Sequence, residues 1–320
     1  MRATLFYARN GHLQRTDDAA QIDAVLEAGT GRYWLDLESF GAEDQEWLAR
    51  RFKFHPLAVA DLLQPNFRPR FEEYEGHLFL IAHWIKIEQR ELTAHEIECF
   101  LTQEYLVTVH GSADALVERV RKTVEGDNAG LTRGADRVLY LILDAVADSF
   151  FDATDFVDDR IDDLEAGVLD APDRGTLDQI FGLRRGLALM RRYSSPLRDA
   201  INALMGHEGG YVHRGNAIYF RDVHNLMVTV HEMVDNQRDL TTGVLDVYLS
   251  STSNRLNDVV KRLTIVANIF LPISFVAGFF GTNFVSLIPY DNTVVFVVFL
   301  ATLVLAPVGM LIWFWRLGWL

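Results

Sequence analysis

Two long uncharged stretches near the C-terminus dominate the hydrophobic pattern of this chain. Neither the residues from Leu263 to Phe280 nor those from Thr293 to Trp315 include an Asp, Glu, Lys or Arg. The hydrocarbon core of a bilayer is about 30 Å thick, and a helix needs roughly 20 apolar residues to cross it. The pattern therefore predicts a two-helix transmembrane hairpin, with spans at about 262–280 and 293–315 joined by an outer loop at 281–292. The alternative for such a hairpin is the buried core of a soluble protein.

The first 133 residues mix strand-like and helix-like patterns. Apolar and polar residues alternate in four stretches, which predicts strands at 32–37, 78–87, 97–101 and 105–110. Helical signals lie at 17–28, at 42–52, from His55-Pro56 onward, and from Ser112 to about Val124. The pattern predicts an α+β domain over residues 1–133.

From Gly134 onward the pattern predicts helices only, because apolar residues recur mostly every three or four positions. Pro172 ends the first helix, and a second runs from about Arg174 to Leu204. A third starts near Asn216 and meets no proline until Pro272, inside the first span. A continuous helix of about 65 residues would be roughly 100 Å long. Such a helix needs partners along its length, so we expect an oligomeric bundle. The predicted division is a helical stalk over 134–261 and a transmembrane hairpin over 262–320.

Charge predicts the orientation in the membrane and excludes some functions. Lys261 and Arg262 precede the first span, Arg316 follows the second, and the turn between them has no Lys or Arg. The positive-inside rule then places both termini of this multi-pass protein in the cytoplasm, at the inner (plasma) membrane. A net charge of −14 argues against nucleic acid as a partner and for attraction of cations. The sequence shows no catalytic motif, so we do not expect an enzyme.

Polar and small residues form one face of the first span. Five residues of the span follow one another at intervals of four, three, three and four positions, which places them on one side of a helix: Thr264, Asn268, Leu271, Ser274 and Gly278. The same face extends toward the N-terminus to Lys261 and Asn257. Such a face is costly in lipid unless it meets another helix or water. Pro272 cannot donate to the Asn268 carbonyl, which must then line a cavity or find another partner. The face indicates either a channel wall made by symmetric copies or a helix–helix contact.

The first span ends in Gly281-Thr282-Asn283, and several other segments are as distinctive. They are His55-Pro56-Leu57, Arg68-Pro69-Arg70, Tyr219–Val223, Leu245–Ser251, Leu263-Thr264-Ile265 and Phe275–Gly278. With these segments the chain resembles the CorA family of divalent-cation channels, whose signature is Gly-Met-Asn after the first span. Thr282 stands where Met is usual. The resemblance implies a homopentameric funnel in the lipid bilayer, with long stalk helices.

The resemblance also implies roles for individual residues. Gly281, Thr282 and Asn283 would form the selective entrance. The implied pore lining is Asn257, Leu263 or Thr264, Asn268, Leu271, Ser274 and Gly278, in which Leu263 and Leu271 are the apolar constrictions. Asp144 and Asp222 would bind regulatory cytoplasmic Mg²⁺ between neighbouring subunits, with Glu88 as a third ligand.

The identity of the transported ion stays open at the level of sequence. The resemblance implies Mg²⁺, with Co²⁺, Ni²⁺ or Zn²⁺ as the other candidates. Ile288-Pro289 in the outer turn resembles the loop of the zinc-associated ZntB branch, so a zinc transporter, proton-coupled in that case, is the first alternative. The second alternative is a non-conducting, membrane-anchored metal sensor. His207, His213, His224 and His231 lie around one turn without a zinc-site spacing, and we expect structural or exposed roles for them.

Overall fold

The computed structural model describes residues 1–9, 12–29, 31–64, 68–111, 115–126, 130–170, 173–206, 209–281 and 293–319. The chain divides into two compact units, Met1–Leu245 and Asp246–Leu320. The strands are β1 (Arg2–Arg9), β2 (His12–Thr16), β3 (Tyr33–Glu38), β4 (Arg70–Tyr74), β5 (His77–Glu88), β6 (Glu91–Leu101) and β7 (Tyr105–His110). The helices are α1 (Ala19–Ala28), α2 (Ala42–Phe52), α3 (Pro56–Asp61), α4 (Ala115–Gly126), α5 (Gly130–Arg133), α6 (Ala135–Asp170), α7 (Arg174–Gly206), α8 (Ala217–Gly281) and α9 (Thr293–Arg316).

The strands form one mixed sheet in the order β2-β1-β3-β7-β6-β5-β4. Strands β3 and β7 pair in parallel, and the other described neighbours are antiparallel. The sequence pattern predicts β3, β5, β6 and β7 and misses β1, β2 and β4. The two edge strands, β2 and β4, have the sequences HLQRT and RFEEY and bury few side chains, so they show little apolar alternation.

The two faces of the sheet differ in what covers them. Leu35 and Leu37 of β3 belong to a buried cluster with Ile22 of α1, Leu48 of α2 and Val59 of α3. Successive side chains of a strand point to opposite faces. Asp36, between the two leucines, therefore lies on the other face, where Arg121 of α4 reaches it. The sheet is thus covered by helices on both sides.

The remaining helices follow the predicted lengths closely. Helix α6 buries an apolar stripe that contains Leu139, Leu143, Val146 and Phe150. Pro196 lies inside α7 without ending it, and α8 continues past Pro272 to a length of 65 residues. The predicted single long helix that ends in the first span is therefore confirmed.

The second unit exposes its apolar side chains. The most apolar 18-residue windows of α8 and α9 have mean hydropathies of 2.1 and 2.7, and 6% and 0% of their residues are buried within the chain. A hairpin in the core of a soluble protein would have most of these residues covered. This exposure favours a lipid environment for both helices. The boundaries 1–133, 134–261 and 262–320 stay a prediction.

Candidate functional site: a polar face on α8 and an acidic cluster

Helix α8 packs against α9 through an apolar row. Ile265 is buried, and the ring centroids of Phe280 and Phe299 lie 4.6 Å apart. At the other end of the hairpin Phe314 of α9 is buried as well. This apolar row forms the side of α8 that faces α9.

The polar face predicted from the sequence lies on a different side of α8. Asn257, Asn268, Ser274 and Gly278 are exposed in the single chain, and Leu271 has 68% of its surface exposed. At 3.6 residues per turn these positions centre roughly 150° around the helix from the Ile265 row. Helix α9 therefore leaves them uncovered.

Thr264 and Leu263 belong to the part of this face that lies nearer the N-terminal end of the first span. Thr264 is half-buried, and its hydroxyl donates to the backbone carbonyl of Val260 at 2.8 Å. Leu263, one position earlier, is 67% exposed. The hydroxyl of Thr264 is satisfied within its own helix, whereas the amide of Asn268 is open to a partner or to water.

The predicted entrance begins where α8 ends. Gly281 is the last residue of the helix. Thr282 and Asn283 lie outside the described residues. The position of the signature motif directly after the first span thus rests on the sequence and on the C-terminal boundary of α8.

The structure brings Asp144 of α6 close to Asp222 of α8. Burial raises the pKa of Asp144 above its ordinary value, and the negative charges of Asp148 and Asp222 raise it further. A hydrogen bond with Tyr140 acts in the opposite direction. Asp144 thus lies near two other carboxylates whose negative charges disfavour its ionised form.

Two aromatic residues and an arginine border this acidic group, and the sequence reasoning missed them. The guanidinium carbon of Arg137 lies 4.6 Å from the ring centroid of Tyr140 and 3.9 Å from that of Tyr219. Tyr140 precedes Asp144 by four residues, and Tyr219 precedes Asp222 by three. On a helix these spacings place each pair on one face. The spacing alone could have indicated both tyrosines.

Glu88 makes its described contacts elsewhere. Its carboxylate lies 2.8 Å from the ammonium of Lys86 and 4.0 Å from Nε2 of His95. The hydrogen bond from Lys86 lowers the pKa of Glu88. Among the described residues of one chain, no three His, Cys, Asp or Glu side chains are grouped to hold a metal ion. A site of three such ligands, including the one that the resemblance implies, therefore needs a residue from another copy or from outside the described part.

Two of the four histidines singled out in the sequence, His213 and His231, lie beside carboxylates in the structure. Nδ1 of His213 lies 2.9 Å from Oδ1 of Asp136, and the backbone N–H of His213 donates to Oδ2 of the same residue. Nε2 of His231 lies 3.7 Å from Asp235. His207 lies outside the described residues. The arrangement ties the start of α6 to the segment before α8.

A helix-covered α/β sheet, a helix of 65 residues and an apolar hairpin with one uncovered polar face define a two-span membrane protein with a large N-terminal body. The family model of the CorA-like Mg²⁺ transporter protein matches residues 29–316. The chain belongs to this family, as its sequence motifs predicted.

Individual relatives agree with this assignment. The cobalt/magnesium transport protein CorA of Thermotoga maritima is 32% identical over 84% of this chain and 78% of its own length. The zinc transport protein ZntB of Yersinia pseudotuberculosis is 24% identical over 94% of this chain and 92% of its own. The complete structure of the CorA magnesium transporter from Methanocaldococcus jannaschii matches with a TM-score of 0.86 at 22% identity, covering 100% of this chain and 99% of that one. The structural match confirms the predicted fold.

Proposed function

We propose that this protein transports divalent metal cations across the inner membrane as a homopentamer, with both termini in the cytoplasm. The observation that carries the proposal is the polar face of α8, which α9 leaves exposed. Because such a face is unfavourable in lipid, symmetric copies would turn it toward a common axis. Membership in the CorA-like family supports this arrangement.

Within this assembly the chemistry of the face suits hydrated cations. Amide and hydroxyl oxygens from Asn257, Asn268 and Ser274 can hold water around an ion without the tight binding of carboxylates. Leu263 and Leu271 would be narrow apolar points at which the pore closes by losing its water. The membrane potential drives entry, and each charge gains about 2.3 kcal/mol per 100 mV, twice that for a divalent ion.

The entrance would consist of Gly281, Thr282 and Asn283. Mg²⁺ dehydrates reluctantly and keeps several waters when bound. A ring of Asn283 amides could bind the outer waters of such an ion. Thr282, in place of the usual Met, is the residue of this segment in which the chain departs from the family signature.

The acidic group would regulate transport. Asp144 and Asp222, with Glu88 from a neighbouring copy, would form a cytoplasmic cation site at a subunit interface. Occupancy by Mg²⁺ would relieve the repulsion among these carboxylates and stabilise the closed assembly. The site would thus couple the internal Mg²⁺ concentration to transport.

A zinc transporter is the second candidate, and two observations favour it. The similarity to the zinc transport protein ZntB spans nearly the whole chain, and the outer turn contains Ile288-Pro289. In that case transport of Zn²⁺ would be coupled to protons.

One experiment distinguishes the candidates. Purified protein in sealed vesicles should be tested for uptake of Mg²⁺, Co²⁺, Ni²⁺ and Zn²⁺, each with and without a pH gradient. Saturable uptake of Mg²⁺ or Co²⁺ that depends on voltage alone supports the proposal. Uptake restricted to Zn²⁺ and stimulated by the pH gradient supports the alternative. Absence of uptake for all four ions contradicts both and leaves the metal sensor.

A further inference from the structure

Helix α9 ends in a compact turn that the sequence FWRLGW specifies. Gly318 has φ of +68°, its N–H donates to the carbonyl of Trp315, and the N–H of Trp319 donates to that of Phe314. These two bonds and the left-handed glycine make a Schellman motif. The rings of Trp319 and Phe314 stack with centroids 5.7 Å apart, which is the apolar contact that accompanies this motif.

The Schellman motif of α9 holds a charged side chain of α8. The ammonium of Lys261 donates to the backbone carbonyl of Gly318 at 3.1 Å and lies 5.9 Å from the ring centroid of Trp319. The C-terminal end of a helix carries a partial negative charge, and the face of an indole ring attracts cations. Both effects stabilise the ammonium in this position.

The backbone position of Lys261 makes this contact significant for transport. Lys261 follows Asn257 by four residues and precedes Thr264 by three, so it belongs to the same helical row as two residues of the polar face. An extended Lys261 side chain could therefore reach toward the pore axis. Its positive charge there would repel a passing cation, and each subunit would contribute one such charge.

We propose that the Schellman motif at residues 314–319 keeps the Lys261 ammonium away from the ion path, with Trp319 as the positioning residue. The inference rests on the proposed transport function. It assigns a role to the turn that follows α9. Loss of the Trp319 ring would free Lys261 and reduce transport through charge rather than through unfolding.

Chemical labelling tests the contact independently of transport. The other lysines of the chain are Lys53, Lys86 and Lys122, and Lys53 and Lys122 are exposed references. An amine-reactive reagent applied to the full-length protein in detergent, with readout by mass spectrometry, should label Lys261 several-fold more slowly than these two. Trp319→Ala should raise the Lys261 rate, while Trp319→Phe, which keeps an aromatic face, should not. Trp315→Ala is the matched control, since Trp315 is 69% exposed at the same end of α9. Labelling of Lys261 that Trp319→Ala leaves unchanged contradicts the contact.

Transport tests the role of the charge. In vesicles, Trp319→Ala should lower divalent-cation uptake about tenfold, and Lys261→Gln combined with Trp319→Ala should restore it to within about twofold of Lys261→Gln alone. Normal uptake by Trp319→Ala, or a double variant as slow as Trp319→Ala, overturns the proposal. If the unmodified protein takes up no divalent cation, both the proposed function and the proposed role of the Lys261 charge are wrong. The labelling experiment still tests the contact between Lys261 and the turn at residues 314–319.

Discussion

Asp36 is fully buried in the sheet and keeps its charge because three neighbours compensate it. It accepts two hydrogen bonds from the guanidinium of Arg121, at 2.6 and 2.9 Å, and another from the hydroxyl of Thr108. Nε2 of His110 lies 3.3 Å from Oδ1 of Asp36. Burial acts to raise the pKa of Asp36, but the hydrogen bond and charge of His110 and the charge of Arg121 outweigh it, so the pKa is lowered.

Replacing this carboxylate should destabilise the protein in a pH-dependent way. Asp36→Asn removes the carboxylate nearest to the Arg121 guanidinium, which then keeps Glu118 at 3.5 Å and Glu38 at 4.0 Å. We expect a loss of about 3 kcal/mol in unfolding free energy at neutral pH. A lowered native pKa stabilises the fold above the unfolded pKa of about 3.9 and ceases to do so as the pH falls through the native value. The difference between wild type and variant should therefore narrow below about pH 4. Denaturant unfolding of the detergent-solubilised protein at several pH values measures it.

The exposed pair of Arg15 and Asp17 provides the control for this experiment. Its atoms lie 3.4 Å apart near the surface. Asp17→Asn should cost less than about 1 kcal/mol. An Asp36→Asn variant as stable as Asp17→Asn would contradict the role of the buried network.

Asn283 is expected to select the ion at the entrance. Asn283→Ala should abolish saturable uptake while the oligomer assembles normally, because only the water-binding amide is lost. Thr282→Met should be tolerated and should shift preference toward Mg²⁺. Uptake assays on size-checked protein measure both. Normal saturation by Asn283→Ala would show that the ring of amides plays no part in selection.

The helix α8 carries three kinds of surface along one length. In its N-terminal part Phe220, Val223 and Met227 are buried in the first unit. Further on Ile265 is buried, and Phe280 contacts Phe299 of α9. Among the described residues of one chain, the polar face on the remaining side is mostly exposed.

Leu271 should behave differently from an equally exposed leucine on α9. Leu271 and Leu305 have 68% and 66% of their surfaces exposed, so exposure in the single chain does not distinguish them. Leu271→Asn should hydrate the constriction and raise basal ion flux several-fold. Leu305→Asn should instead reduce the amount of inserted protein, because it places an amide in lipid. Equal flux in the two variants, after correction for protein amount, would contradict the gate.

The net charge of −14 on each chain makes the approach of several copies electrostatically unfavourable. The proposed oligomerisation would bring the acidic surfaces of several copies together. Burial is the largest cause of the raised pKa of Asp144, and the charges of Asp148 and Asp222 within the same chain raise it further. Divalent cations bound at this point would stabilise the assembly and report their internal concentration to the pore.

Removing two of these carboxylates should weaken the effect of Mg²⁺ on the assembly. Asp144→Asn with Asp222→Asn should reduce the protection of the N-terminal body from proteolysis that Mg²⁺ provides to wild type. Coupling of this kind typically amounts to 1–3 kcal/mol, so protection should shift to higher Mg²⁺ by roughly 5- to 150-fold. Asp155→Asn with Asp162→Asn removes the same number of charges from exposed positions of α6 and is the matched control. Full protection in the first double variant would mean that Asp144 and Asp222 are ordinary surface residues.

Much of the architecture follows from local patterns. The two spans depend only on length and apolar content, and the 65-residue helix depends on the absence of proline before Pro272. The family motifs are equally local. The pattern does not predict β1, β2 and β4, because these segments show little alternation of apolar and polar residues. They are strands because they pair with neighbouring strands in the folded sheet.

The contacts that join distant residues could not be inferred in this way. Asp36 and Arg121 are 85 positions apart, and Lys261 and Gly318 are 57 apart. Spacing along one helix assigned Lys261 to the polar row, whereas the fold of α9 draws its ammonium to the end of the hairpin. A helical period reports which backbone positions share a face, but the final place of a long charged side chain depends on partners that only the folded hairpin supplies.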